Sequence, residues 1–146
     1  MKIFIVEDEE LAVKKLQKTL QAIDSELEVV GTADSIETAV EWLQANPRPD
    51  LILMDIELAD GQSFEIFNLT QVKSPVIFTT SYDEYALKAF KVNSVDYLLK
   101  PIQKEELEAA ISKFRQMKET FKSEKQGDPQ ISALVKELQQ TLQHKE

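Results

Sequence analysis

The chain has 146 residues, 17 basic and 26 acidic, for a net charge of −9, and 42% of it is hydrophobic. That is one ordinary soluble domain with a real core, whose field repels nucleic acid. No cysteine and a single histidine, His144, exclude disulfide scaffolds, thiol nucleophiles and His-based metal cages, and leave carboxylate, hydroxyl and lysine chemistry.

The first apolar run, Lys2 to Val6, stops at Glu7, too short for a signal peptide or a membrane span, so a cytoplasmic location is the default expectation. Four more runs follow: Leu27 to Gly31, Leu51 to Met54, Val76 to Thr79 and Tyr97 to Leu99. They carry little polar interruption, as expected of parallel strands covered by helices on both faces. Between them lie stripes of helical period. Val13, Leu16, Leu20 and Ile23 form the first; Ile36, Ala39, Val40 and Leu43 follow a candidate N-cap at Ser35. Phe64, Ile66, Phe67 and Leu69 predict a shorter helix, and Ala86, Leu87, Ala89 and Phe90 another. Leu107, Ala110, Ile111, Phe114, Met117 and Phe121 trace a longer one after Pro101. The order is βα five times, which right-handed crossovers wind into a three-layer, doubly wound α/β sandwich. Lys122 to Gln130 is polar, contains Gly127 and Asp128-Pro129, and reads as a linker. Beyond it Ile131, Leu134, Val135, Leu138 and Leu142 make an amphipathic helix whose mixed charges suit an interdomain or dimerising role better than a membrane anchor.

The polar residues at the strand ends fall on one edge of such a sheet: Glu7-Asp8, Asp55, Thr79-Thr80-Ser81 and Lys100-Pro101. If the first and third strands are neighbours, Glu7, Asp8 and Asp55 crowd together, and like charges raise their pKa values unless a cation intervenes. An acidic, oxygen-lined, partly open pocket suits Mg²⁺, which takes one or two carboxylates together with a phosphate. A carboxylate there can attack a phosphoryl group, and Asp55, at the central strand end, is the candidate nucleophile. Lys100 would neutralise a phosphoryl oxygen, Thr80 would offer its hydroxyl, and Asp8 with Glu7 would hold the metal.

These residues also carry a resemblance. Ile5-Val6-Glu7-Asp8-Glu9, Leu51 to Ile56, Thr80-Ser81 and Asp96-Tyr97-Leu98-Leu99-Lys100-Pro101 make residues 1–121 resemble the receiver domain of a two-component response regulator, a CheY-like, flavodoxin-like fold of strand order 2-1-3-4-5. The stretch Thr79 to Phe90 is similar to receivers of the LytR/AlgR family, which precede a LytTR DNA-binding domain. The resemblance implies a phosphoprotein of a two-component phosphorelay that controls transcription, not a turnover enzyme, with phosphorylation of Asp55 by a sensor histidine kinase and self-dephosphorylation. It further implies Mg²⁺ at Glu7, Asp8, Asp55 and the backbone carbonyl of Glu57; Thr80 and Lys100 reading the phosphoryl group; Tyr97 as the aromatic switch beside Thr80; and a cis bond between Lys100 and Pro101. Phosphorylation would favour a homodimer, and DNA would be reached only through an output domain missing from residues 122–146, either trimmed away or absent from a natural short regulator. The acidic pair is Glu-Asp where Asp-Asp is commoner.

Singly, each residue has a plainer reading: Asp55 as a turn or cap, Glu7 and Asp8 as first-turn acids, Thr80 as a strand-end hydroxyl, Tyr97 as a half-buried strand residue. Their conjunction favours the site. Two other functions stay open. Asp55 and Glu57 with a distant lysine fit a haloacid-dehalogenase-like phosphatase, though that class wants Asp where Glu57 stands and a cap domain. A non-phosphorylated interaction module of the same fold is the other.

Overall fold

The computed structural model describes residues 1–82 and 94–125. The expected helix over Ala86 to Phe90, most of the linker, the tail from Ile131 and His144 lie outside the described residues. The elements run β1 (Lys2–Val6), α1 (Glu10–Ile23), β2 (Glu28–Ala33), α2 (Ile36–Ala45), β3 (Leu51–Asp55), β4 (Glu57–Leu58), β5 (Gly61–Gln62), a 3₁₀ turn (Ser63–Glu65), α3 (Ile66–Leu69), β6 (Val76–Thr80), β7 (Ser94–Leu99) and α4 (Lys104–Lys125).

β1, β2, β3, β6 and β7 form one sheet of order β2-β1-β3-β6-β7, with every pairing parallel. This is the expected 2-1-3-4-5 order. Because side chains alternate along a strand, each strand feeds two cores. Ile3, Ile5, Leu51, Leu53, Ile77 and Leu98 meet Leu16 and Leu20 of α1 and Leu107, Ala110, Ile111 and Phe114 of α4. Phe4, Val6, Ile52, Met54, Val76 and Phe78 meet Ile36 and Ala39 of α2, Ile66 of α3, and Leu58. The near-continuous apolar strands are thus covered on both sides, as their composition demands.

α2 begins as its sequence predicts. Ser35 accepts from the Thr38 N–H at 3.0 Å, and the Thr38 hydroxyl accepts from the Ser35 N–H at 3.1 Å, a reciprocal cap. Three features differ from expectation. An antiparallel ribbon, β4 with β5, joins the five parallel strands; Asp60-Gly61 is the turn signal for it, and Gly61 takes φ +134°. The predicted helix around Phe64 to Leu69 is a 3₁₀ turn followed by a short α3, too brief for a regular stripe. The last helix enters the expected linker as far as Lys125, because helix-tolerant residues persist until Gly127. Its apolar stripe leaves the core earlier: Phe114 is buried, whereas Met117 is exposed. Among the described residues no helix is long and apolar enough to cross a membrane.

Candidate functional site

The strand order reverses at β1, since the chain goes from β1 to β2 on one side and to β3 on the other. In such sheets the crevice beyond the carboxyl ends at the reversal is where ligands bind. β1 and β3 pair in register up to Val6 with Met54, so the next residues, Glu7 and Asp55, emerge together at that crevice. Glu7 still donates its N–H to Ala33 at 2.9 Å, which holds it as an extension of the ladder. Asp8 follows, and one carboxylate oxygen each from Glu7, Asp8 and Asp55 lie within 4.8 Å of one another.

Lys100 reaches the same place from the end of β7. Its N–H donates to the Thr80 carbonyl at 2.7 Å, and the following peptide bond to Pro101 is cis. Its ammonium donates to Glu7 Oε1 at 2.6 Å and to Asp55 Oδ2 at 3.1 Å. Glu7 and Asp55 are 3% and 5% exposed, so these are ion pairs with little solvent to screen them. Asp8 lies at the exposed mouth. Sequence reasoning gave Glu7 and Asp8 one shared role; the structure separates them, with Glu7 the inner partner of Lys100.

The electrostatics follow. Burial pushes the Glu7 carboxyl above its ordinary 4.5; the Lys100 hydrogen bond opposes this, and Asp55 adds to it. Loss of solvation, then Glu7, raises Asp8. Burial alone would lower the Lys100 ammonium, but the Glu7 hydrogen bond and the Asp55 charge outweigh it and the net shift is upward. Crowding of like charges was the expected cause for the carboxyls, and desolvation is the larger one. An all-oxygen donor set of three converging carboxylates, two of them held above their usual pKa, fits a hard divalent cation.

Thr80 ends β6, 1% exposed, and its hydroxyl accepts from the Tyr82 N–H at 3.2 Å. Tyr97, on the neighbouring β7, packs against the Phe4–Phe78 core and donates its hydroxyl to the Tyr82 carbonyl. Thr80 and Tyr97 therefore grip the two ends of one residue. Glu57 opens β4 two residues beyond Asp55, with its side chain exposed and outside the carboxylate cluster. Sequence reasoning missed Asp60, which accepts from the Ile36 N–H at 2.9 Å and the Glu37 N–H at 3.3 Å. Its position before Gly61 marks a turn but names no distant partner.

An acidic crevice at the reversal of a parallel five-stranded sheet, with a lysine across it, defines a class, and residues 3–112 match the response regulator receiver domain. The chain belongs to that family. Within it the similarity is to regulators of the LytT/LytR type. It is 40% identical over 123 residues to the sensory transduction protein LytT of Bacillus anthracis, covering 82% of this chain and 49% of that one. Against the transcriptional regulatory protein BtsR of Escherichia coli (strain K12) it is 37% identical over 120 residues, 80% and 48% of the two chains. The chain thus spans about half the length of these relatives. Among solved structures, the response regulatory domain of protein mrkE from Klebsiella pneumoniae superposes with a TM-score of 0.69 at 31% identity, over 80% of this chain and 97% of that one.

Proposed function

We propose that this receiver accepts a phosphoryl group on Asp55 from a sensor histidine kinase and passes the change, as homodimerisation, to an attached DNA-binding output domain of the LytTR type. The observation that carries the reading is the Lys100 ammonium held between Glu7 and Asp55, with Asp8 in the same cluster. Residues 1–121 are the receiver unit in this reading, residues 122–146 lead to the output domain, and the protein works in the cytoplasm.

A carboxylate oxygen of Asp55 attacks the phosphorus, the bond to the kinase imidazole or to a small acyl donor breaks, and the leaving group takes its electron pair. The product is an acyl phosphate, which water later hydrolyses back to Asp55 and inorganic phosphate. No external substrate is turned over. Glu7, Asp8, Asp55 and the Glu57 carbonyl would hold Mg²⁺, which would supply the positive charge that lets an anionic nucleophile meet an anionic phosphate. Lys100 is already over Asp55 and neutralises a phosphoryl oxygen. Thr80 accepts from Tyr82 and so keeps its own O–H to donate. When it turns to the phosphoryl group, its hydrogen bond from Tyr82 is lost, and the Tyr97 ring turns inward and alters the face beside β7.

Incubation with acetyl phosphate and Mg²⁺ tests this by intact mass. One labile phosphoryl group is expected on the wild type and none on Asp55→Asn. Repeated turnover of a phosphate ester would replace the reading with a phosphatase, and no modification would replace it with an inert module. Without Mg²⁺ at neutral pH, modification is expected to slow strongly; an equal rate would overturn the electrostatic account of the crevice.

A further inference from the structure

The β4–β5 ribbon packs Leu58 into the core and is hydrogen-bonded at its base and at its tip. At its base, Ile56 donates its N–H to Thr79 at 3.0 Å and its carbonyl accepts from the Ser63 N–H at 2.7 Å. At its tip, Asp60 takes the N–H groups of Ile36 and Glu37, in the first turn of α2. Gly61 lies against α2 beside it: a Cβ there would come within 3.3 Å of Ile36 Cδ1, so the backbone approaches closely. An open groove of about 390 Å³, lined in part by Ile36, Asp60, Gly61 and Phe64, runs beside this contact. Glu57 lies in sequence between the two attachments.

The geometry points to Asp60 as a positioning residue for the metal: by binding the Ile36 and Glu37 N–H groups, it fixes the ribbon that presents the Glu57 carbonyl to the crevice. This rests on the metal site proposed above. Asp60 touches neither the crevice carboxylates nor the ion, and acts through the backbone between residues 57 and 60. The Ser35–Thr38 box satisfies the N–H groups of Ser35 and Thr38 and leaves those of Ile36 and Glu37 to Asp60. Helix polarity strengthens the tie, since the positive end of α2 meets a carboxylate whose proton affinity is lowered by the same N–H groups. The tie also runs in reverse. A metal that orders the ribbon must order the Asp60 contact, so binding should slow exchange of the Ile36 and Glu37 amides.

The test is Mg²⁺ titration by calorimetry on the wild type, Asp60→Ala, Asp60→Asn and Ser35→Ala, with melting curves for each. Supporting residues around metal ligands typically change affinity by about 10–100-fold, and Asp60→Ala is expected at the low end, roughly tenfold weaker. Asp60→Asn keeps one acceptor and should fall between it and the wild type. Ser35→Ala damages the cap of the same helix without touching the ribbon, and should change affinity less than about twofold while lowering melting temperature. Wild-type affinity in a folded Asp60→Ala, or equal weakening by Ser35→Ala, overturns the inference. Hydrogen exchange on the unmutated protein is an independent arm: Ile36 and Glu37 amides no slower with Mg²⁺ would also overturn it. A wild type that takes up no Mg²⁺ defeats the proposed metal site itself, whereas wild-type binding with an indifferent Asp60 defeats this inference alone.

Discussion

The two faces of the sheet are built from the same strands but closed in different ways. On one, two long helices lay Leu16 and Leu20 of α1 and Leu107, Ala110, Ile111 and Phe114 of α4 over Ile3, Ile5, Leu51, Leu53 and Ile77. On the other, α2, the brief α3 and the β4–β5 ribbon leave a broken cover that aromatics fill. Phe4 stacks on Trp42 with ring centres 4.0 Å apart, and Phe64 and Phe67 tilt onto Phe78 at 5.2 and 6.1 Å. Large rings bridge gaps that regular helix packing would not leave. The second face also includes Tyr97, and its ribbon follows directly from Asp55. The difference teaches that one set of strands can be closed by two regular helices on one side and, on the side that carries Tyr97 and the ribbon after Asp55, by rings filling an irregular cover.

Removing one large side chain from each face tests that difference most severely. Phe78→Ala should lower stability by about 3–5 kcal/mol and Leu20→Ala by about 2–5 kcal/mol, measured by denaturant unfolding. Well below its melting temperature, Leu20→Ala should be phosphorylated like the wild type, while Phe78→Ala, which unseats α3, should be modified more slowly. Equal phosphorylation of both would erase the distinction. A smaller loss is expected at Gly31. A Cβ there would lie 2.4 Å from Trp42 Nε1, so Gly31→Ala must displace the indole from Phe4. Overpacking of this kind costs about 1–3 kcal/mol, and a melting temperature unchanged in Gly31→Ala would show that the aromatic cover is soft.

The smallest effect comes from the edge that both faces share. Because Glu7 has a raised pKa when folded, the folded protein binds more protons than the unfolded chain between the ordinary 4.5 and that raised value. Stability of the metal-free protein should therefore decline as pH rises through this window, with Asp8 acting in the same direction. Lys100 has the same slope in a higher window. Its raised pKa adds stability that is complete at neutral pH and lost only as pH climbs past the ordinary 10.5. Melting between pH 7 and 4.5 should show a shallow rise toward acid, flattened in Glu7→Gln; an unaltered slope in that variant would place its origin elsewhere.

Much of this architecture is legible before folding, because the determining signals are local. Continuous apolar runs such as Leu51 to Met54 announce strands buried on both sides, and Ser35 announces where α2 starts. The convergence of Glu7, Asp8, Asp55 and Lys100 is legible too, since parallel strands carry all their carboxyl ends to one edge. What is not legible depends on pairs distant in sequence. Nothing near Asp60 reveals that its carboxylate caps residues 36 and 37. The inner place of Glu7 follows from its hydrogen bond to Ala33, which prolongs β1 by one residue. The shorter helix at Phe64 to Leu69 is legible from its apolar spacing, but its division into a 3₁₀ turn and a single α turn is not.

Trp42 is the protein's single tryptophan, and it lies stacked on Phe4 beneath Gly31. Intrinsic fluorescence excited at the indole band therefore reports on the aromatic side of the sheet alone. A change in its emission that tracks acyl phosphate formation would time events in that layer with no label attached, while the layer beneath α1 and α4 stays optically silent.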